Sequence, residues 1–226
     1  VKIITSIYRP FREDKNAGLR KGSGFLVNKD KGLILTNAHV TGRSKSKVRV
    51  AFKNYGFSPV KQVYIDPRID IAIVKIHPKL IPKEAKEAKL KCDGKVPSGT
   101  SVAAFGHPKG LSFSASRGIV SKYRFLSGRD VIQTDTAINK GNSGGPLIDM
   151  NTGFVIGINK SSFSKSTGLS FAVPAKNVCI ILDLLNEDRN PSPITLPIRF
   201  AEDREAEDYL KVGSFYHKGK NIEIGS

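Results

Sequence analysis

The feature that most constrains the fold of this chain is a long succession of short β-type segments divided by turn residues. Inside the segments, apolar and β-branched residues either alternate with polar residues or form short continuous runs. Glycine, proline, asparagine and charged residues cluster between the segments, as they do in tight turns. Many short strands linked by such turns are typical of sandwiches and barrels, so the sequence predicts an all-β fold.

The segments fall into two sets of six, which predicts two six-stranded antiparallel β-barrels with a C-terminal helix. The helix is predicted over 176–186, where apolar residues recur at the spacing of one helical face. The predicted strands of the first set are 2–8, 23–27, 32–36, 48–52, 61–66 and 71–76. Those of the second set are 100–105, 113–122, 131–134, 146–149, 154–162 and 169–173.

This pattern predicts four parts along the chain. Residues 1–77 form the N-terminal barrel, in which the polar, basic stretch 9–21 is predicted to be a loop. Residues 78–99, rich in proline and lysine, connect the barrels, and residues 100–189 form the second barrel with its closing helix. Residues 190–226 are a proline-rich linker and an acidic tail, in which a short helix is predicted over 201–211 but no role is assigned.

The chain carries 37 lysines and arginines against 20 acidic residues, a net charge of +17. A surface this basic attracts polyanions, so a nucleic-acid-binding protein is one alternative. The cations, however, are spread along the body without interleaved aromatic residues, and no helix-turn-helix, zinc-finger or RNA-recognition motif occurs. We therefore expect a solvated basic surface and no specific nucleic-acid partner.

The hydrophobic content of 39% is ordinary for a globular core. No apolar run approaches the ~20 residues of a membrane-spanning helix, so we expect no membrane span in this chain, and no targeting segment is visible at Val1. The two cysteines, Cys92 and Cys179, lack metal-ligand spacing, so neither a metal nor another cofactor is expected. The sequence leaves open whether Cys179 is a core residue or forms a disulfide with Cys92.

A serine within a glycine-rich stretch, Ser143 in GNSGGPL at 141–147, is the candidate nucleophile. Glycines allow backbone conformations that aim N–H groups at the oxyanion formed when a serine attacks a carbonyl. We therefore expect the oxyanion hole at Gly141, Asn142 and Ser143, with the N–H groups of Gly141 and Ser143 as donors. A glycine-rich turn with an incidental serine is the alternative.

A histidine and an aspartate precede this serine in the order that a serine hydrolase requires. His39 follows the third predicted strand, and Asp70 opens the sixth. His39 is the candidate base, and Asp70 is the residue that orients its imidazole. Asp66 is a rival for Asp70, but an aspartate before proline is typical of a turn. His107, in a Gly-His-Pro sequence, is predicted to be a surface turn residue.

Seven stretches in order carry a family resemblance over about residues 1–186: GSGF at 22–25, TNAHV at 36–40, DIAIV at 70–74, IQTD at 132–135, GNSGGPL at 141–147, GIN at 157–159 and FAVP at 171–174. Together they resemble the HtrA (Deg) family of trypsin-like serine proteases. The residues that follow are too few for the PDZ domain that usually comes next in this family. The chain therefore resembles the protease domain without a PDZ domain.

The resemblance implies the trypsin-like (chymotrypsin) fold and an endopeptidase that cleaves unfolded or misfolded polypeptides in protein quality control. It also implies a location outside the cytoplasm, periplasmic or secreted, and a homo-trimer. By the same resemblance, Ile138 lines the specificity pocket, and Gly157, Ile158 and Asn159 pair with the substrate as an added strand. An apolar Ile138 favours small or medium aliphatic side chains at the cleavage position.

A second function is conceivable on the same scaffold: a chaperone or peptide-binding protein whose protease site is held inactive. The presence of His39, Asp70 and Ser143 argues against a degenerate site. Residue identities do not show whether the resting geometry is competent for catalysis.

Overall fold

The computed structural model describes residues 1–8, 17–44, 46–107, 113–126, 128–160 and 169–191, and the backbone of two short strands nearer the C-terminus. Contacts divide the chain into one unit, Val1–Pro191, and a second, Ser192–Ser226. In the second unit an antiparallel hairpin joins Ser214–His217 to Lys220–Glu223. The helix predicted over 201–211 lies outside the described residues.

The described residues of the first half of the larger unit form eight strands and one short helix. The elements are β1 (Lys2–Ile7), β2 (Gly18–Ser23), β3 (Phe25–Asn28), β4 (Leu33–Thr36), α1 (Ala38–Thr41), β5 (Ser46–Ala51), β6 (Ser58–Pro59), β7 (Lys61–Asp66) and β8 (Ile71–Lys75). The strands form two four-stranded sheets, in the orders β2-β1-β5-β6 and β3-β4-β8-β7, with antiparallel pairing throughout.

These two sheets do not close into the predicted N-terminal barrel. The strands that pass from one sheet to the other are interrupted at single residues, Gly24 between β2 and β3 and Val60 between β6 and β7. At Gly24 a Cβ would lie 2.8 Å from Ile3 Cδ1 and 2.9 Å from the Leu35 carbonyl oxygen, so only glycine fits this bend. Backbone hydrogen bonds continue through both bends, from Gly24 to Val1 and from Val60 to Val48, but each bend carries the strand from one sheet to the other. The result is two packed four-stranded sheets.

The two sheets of the first half share an apolar core. Ile3 and Val50 point into it from the first sheet, and Ile34 and Val74 from the second, all fully buried. Along β1 the burial alternates residue by residue, as expected for a strand with one face on a core. The two sheets therefore bury their apolar faces against each other.

The second half confirms the predicted C-terminal barrel. Six antiparallel strands close in the order β10-β11-β14-β13-β12-β9. Helix α2 (Lys176–Asn186) follows the barrel, in agreement with the predicted helix. The strands are β9 (Ser101–Gly106), β10 (Ser114–Leu126), β11 (Arg129–Thr134), β12 (Pro146–Asp149), β13 (Val155–Lys160) and β14 (Ser170–Pro174).

A further apolar cluster joins the two halves. Phe25 and Ile73 of the first half lie in the same cluster as Ile158 of the barrel and Val178 and Leu182 of α2. The connection after the one-turn 3₁₀ helix Pro78–Leu80 runs beside this cluster, where Leu90 forms an isolated parallel bridge with Val155. The larger unit therefore has a core that needs both halves and the last helix.

A disulfide joins this connection to the last helix. Cys92 and Cys179 are bonded to each other across 87 residues of sequence, which resolves the alternative that the sequence left open. Within the described residues no helix is long and apolar enough to cross a membrane.

Candidate active site

His39 lies in α1, directly after β4. Thr36 and Asn37, which precede α1, anchor it to the rest of the fold. The Thr36 hydroxyl donates to the Ser23 carbonyl oxygen at 2.7 Å, and Asn37 is the N-cap residue of α1. The His39 imidazole is 42% exposed. The backbone next to His39 is therefore buried, whereas its ring remains accessible to a reacting group.

Asp70 lies at the end of the turn between β7 and β8. Its φ of 62° falls in the left-handed region, which aspartate tolerates better than most residues. The Asn37 side-chain amide donates to the Asp70 carbonyl oxygen at 2.9 Å and ties this turn to the His39 segment. Asp66 accepts from the Arg68 N–H at 2.8 Å, so it shapes the turn, as its position before proline predicts.

His39 and Asp70 form a close pair. His39 Nδ1 lies 3.0 Å from Asp70 Oδ1 and 2.9 Å from Oδ2, and the His39 backbone N–H donates to Oδ1 at 3.1 Å. Since the carboxylate can only accept, Nδ1 carries the proton and Nε2 is left as the basic nitrogen. This is the tautomer that a general base needs.

A lysine that was not singled out in the sequence also reaches this carboxylate. Lys160, the last residue of β13, places its ammonium nitrogen 3.1 Å from Asp70 Oδ2, and the side chains of both partners are at least 90% buried. No local pattern marks this pair, because 90 residues separate its members. Its only sequence signal is a lysine at the end of a mostly apolar strand.

The ionisation of Asp70 reflects these contacts. Burial raises the pKa of the Asp70 carboxyl, but the hydrogen bonds and charge of His39 and the charge of Lys160 outweigh it and hold that pKa below its ordinary value. The carboxylate is therefore charged at neutral pH.

The loop that carries Ser143 lies against the His39 segment. Ser143 is 4% exposed, and its carbonyl oxygen accepts from the Ser23 N–H at 2.8 Å. At Gly144, with φ of 84°, a Cβ would lie 2.2 Å from Thr36 Oγ1 and 3.2 Å from the Asn37 nitrogen. Close packing at Gly144 therefore brings the loop of the barrel to the strand that leads into His39.

The residues before Ser143 form a hydrogen-bonded turn. The Asn142 N–H donates to the Asn139 carbonyl oxygen at 3.0 Å, and Gly141 has a φ of 105°. A positive φ at the third position is the type II pattern, which favours glycine. The Asn142 side chain turns inward, where its Nδ2 lies 3.4 Å from the Ala137 carbonyl oxygen.

Ser23 and His107 anchor this turn from behind. The Ser23 hydroxyl donates to the Gly141 carbonyl oxygen at 2.7 Å and lies 2.9 Å from His107 Nδ1. Because the hydroxyl hydrogen is used on Gly141, His107 Nδ1 is the donor to Ser23. His107 is 5% exposed, so its prediction as a surface turn residue is wrong. Burial lowers the pKa of His107 to about 4, so this ring is neutral at pH 7.

The residues predicted to contact substrate are buried. Ile138 is 5% exposed and belongs to the core of the barrel. Gly157 and Ile158 pair with β12 on one side and β14 on the other, and Asn159 pairs with Ala172 and with the Gly145 carbonyl oxygen. Because both edges of this strand are occupied there, the strand addition predicted at Gly157, Ile158 and Asn159 has no free edge to use.

The site offers no set of ligands for a metal ion. Across the part of the chain that the structure describes, no three histidine, cysteine, aspartate or glutamate side chains come together as a metal-binding group.

Comparisons with known proteins show the family to which the chain belongs. Residues 22–158 match the family described as Trypsin-like peptidase domain. A probable periplasmic serine endoprotease DegP-like of Pseudomonas putida is 40% identical over 173 residues, covering 74% of this chain and 34% of that protein. Serine protease HTRA1A of Danio rerio is 37% identical over 172 residues, covering 73% and 34%. The chain thus spans about a third of the length of these relatives.

Solved structures show the same relationship. The HtrA-type protease AlgW S227A with tripeptide superposes with a TM-score of 0.69 at 30% identity, covering 88% of this chain and 61% of that one. The serine endoprotease from Yersinia pestis gives a TM-score of 0.65 at 28% identity, covering 88% and 65%.

Proposed function

Since the chain belongs to the trypsin-like peptidases, in the HtrA (Deg) family, we propose that it is a serine endopeptidase with His39, Asp70 and Ser143 as its catalytic triad. The observation that carries the proposal is the paired His39 and Asp70, with the Ser143 loop packed against the same strand end. Family membership gives the reaction class, and this geometry supports the choice of residues.

The proposed reaction uses each group in turn. His39 Nε2 takes the proton of the Ser143 hydroxyl as its oxygen attacks the scissile carbonyl, and the imidazolium then donates that proton to the leaving amine. Asp70 keeps Nδ1 protonated and stabilises the imidazolium. A water molecule, activated in the same way, hydrolyses the acyl-enzyme.

The oxyanion hole is proposed at Gly141, Asn142 and Ser143, with the N–H groups of Gly141 and Ser143 as donors. The type II turn supports this role, because it depends on the positive φ at Gly141. The Ser23 hydroxyl on the Gly141 carbonyl holds the peptide that follows Gly141 in place. Losing one donor of an oxyanion hole typically reduces turnover by about 10²–10³.

The substrates that we propose are unfolded or misfolded polypeptides, cleaved in protein quality control outside the cytoplasm. Relatives named periplasmic serine endoproteases support an extracytoplasmic location. The disulfide between Cys92 and Cys179 supports it independently, because such bonds persist in oxidising compartments. A preference for aliphatic residues through Ile138 and assembly into a trimer remain predictions from the resemblance.

Intact mass after incubation with a fluorophosphonate tests the proposed function. A serine with a working base and oxyanion hole forms one covalent adduct, so we expect a single adduct on the wild type and none on Ser143→Ala. The wild type should also cleave reduced, unfolded casein more than 10³ times faster than Ser143→Ala, since removing the nucleophile removes the covalent route.

The control is His77→Asn, which changes an exposed histidine at the end of the first half and should label like the wild type. An unlabelled wild type, with or without unfolded casein present, would contradict the proposal and favour a chaperone or peptide-binding role.

A further inference from the structure

We propose that Lys160 is a positioning residue of the active site, which partly neutralises Asp70 and so extends activity towards acidic pH. The inference rests on the proposed function, because it concerns the same triad. It adds a fourth side chain and a specific direction of pH dependence.

The geometry places Lys160 in competition with His39 for one carboxylate. Oδ2 of Asp70 lies 2.9 Å from His39 Nδ1 and 3.1 Å from Lys160 Nζ, while Oδ1 accepts from the His39 backbone N–H. An ammonium at this distance cancels part of the carboxylate charge that faces the imidazole. When His39 is protonated, the Asp70 carboxylate therefore forms ion pairs with two cations.

Burial makes this interaction strong. The side chains of Lys160 and Asp70 are 10% and 6% exposed, so water screens the pair little. A lysine is rarely buried unless it is paired, and every residue of β13, Lys160 included, is buried. The position therefore holds a cation next to the catalytic carboxylate.

The other charged groups near the pair do not replace Lys160. Arg20 donates to the His39 carbonyl oxygen at 3.2 Å, on the backbone side of α1. Arg129 donates to the carbonyl oxygen of Arg68, two residues before Asp70 in the turn. Both guanidinium groups bind backbone oxygens in these contacts, whereas Lys160 binds the carboxylate itself.

The consequence for catalysis follows from the sign of the charge. Asp70 stabilises the protonated imidazole, and a cation on Asp70 weakens that stabilisation. The Lys160 ammonium therefore favours the neutral imidazole, which is the form that acts as a base. The acid limb of the pH–rate profile should accordingly lie at lower pH in the wild type than in a variant without this charge.

The test replaces the charge and follows two readouts. We expect Lys160→Gln to move the midpoint of the acid limb of kcat/KM up by about one pH unit, whereas Lys160→Arg leaves it within about 0.3 unit. In a Ser143→Ala background, the NMR titration midpoint of the His39 ring should move in the same direction by a similar amount. This second readout needs no turnover.

Lys176→Gln is the matched control, because Lys176 forms its ion pair, at 3.2 Å, with Asp130 and not with a residue of the proposed triad. It should leave both midpoints unchanged. If Lys160→Gln fails to fold, Lys160→Met and Lys160→Thr provide neutral substitutes of other lengths, and far-UV circular dichroism identifies the variants that fold.

The outcomes separate this inference from the proposed function. An unlabelled wild type with a shifted His39 titration in Lys160→Gln would contradict the endopeptidase proposal and retain the ion pair's effect. A labelled wild type whose acid limb and His39 titration are both unmoved in a folded, neutral Lys160 variant would overturn the inference and leave the function intact.

Discussion

His107 and Ser23 show how two buried side chains can hold the loop that carries Ser143, the proposed nucleophile. His107 donates to the Ser23 hydroxyl, which in turn donates to the carbonyl oxygen of Gly141. The chain of donors runs from the imidazole to the turn before Ser143. The ring is neutral at pH 7, because burial opposes a charge on His107 and lowers its pKa.

This arrangement predicts an acid-sensitive contribution to stability. Burial lowers the pKa of His107 to about 4 in the folded state, against about 6.5 in the unfolded chain. Because the unfolded chain binds the proton more readily, the contribution is complete above pH 6.5 and is lost as the pH falls towards 4. Between pH 7 and pH 5 the free energy of unfolding should fall by about 1–2 kcal/mol through this residue.

Urea unfolding at the two pH values measures this difference. His107→Asn should lose less stability on acidification than the wild type, since the asparagine does not titrate. His77→Asn, at an exposed histidine, should behave like the wild type. Equal losses in all three proteins would contradict a neutral, buried His107.

At this scale the sequence predicts residues that belong to local motifs and misses partners that do not. His39, Asp70 and Ser143 each stand in a short stretch whose composition points to their chemistry, and the structure pairs the first two. Lys160 and Ser23 act on residues 90 or more positions away, and no periodicity or spacing connects such distant positions. Their roles become visible only when the fold is known.

Among the elements, the last helix and the inter-half connection depend on each other. The disulfide from Cys92 in the connection to Cys179 in α2 closes a loop of 87 residues. In the chain-entropy view, such a cross-link reduces the freedom of the unfolded chain and stabilises the fold by about 2–4 kcal/mol. The two elements should therefore loosen together when the bond is removed.

Unfolding with and without a thiol reductant checks this expectation. Reduction should lower the urea midpoint of the wild type, and the double variant Cys92→Ser with Cys179→Ala should match the reduced wild type. The reductant should have no effect on the double variant, which serves as its own control. An unchanged midpoint after complete reduction would show that the bond adds nothing to stability.

The strands also show which features of the fold the sequence patterns do not predict. Strand β2, Gly18–Ser23, falls largely in the predicted polar loop because its sequence contains two cations and only one large apolar residue. Its identity as a strand comes from six consecutive pairs with β1. The closed C-terminal barrel follows the predicted pattern, whereas the bends at Gly24 and Val60 turn the predicted first barrel into two sheets. Single-residue bends leave no periodic signal.

For the whole molecule, the apolar cluster shared by both halves predicts cooperative unfolding. Leu182 of α2 is 7% exposed and lies in the same cluster as Ile73 of the first half and Ile158 of the barrel. Leu182→Ala should lower the free energy of unfolding by about 2–4 kcal/mol, because it removes buried methyl groups and leaves a cavity. The substitution should destabilise both halves.

Amide hydrogen exchange shows which strands are destabilised by this substitution. We expect amides of β8 and β13 to exchange faster by similar factors in Leu182→Ala. Ile180→Ala, at a position of the same helix that is 74% exposed, should leave both strands unchanged. Faster exchange confined to β13 would mean that the two halves unfold independently.

The shared cluster also determines how long the first half of a newly synthesised chain remains incompletely packed. The packing of Phe25 is incomplete until Val178 and Leu182 are present. These two residues emerge from the ribosome more than 150 positions after Phe25. At roughly 5–20 residues per second this interval is about 10–30 s. Throughout it, apolar residues of the first half lack their final neighbours. Until the last helix is available, these exposed apolar residues can form non-native contacts, so the incomplete chain is prone to aggregate.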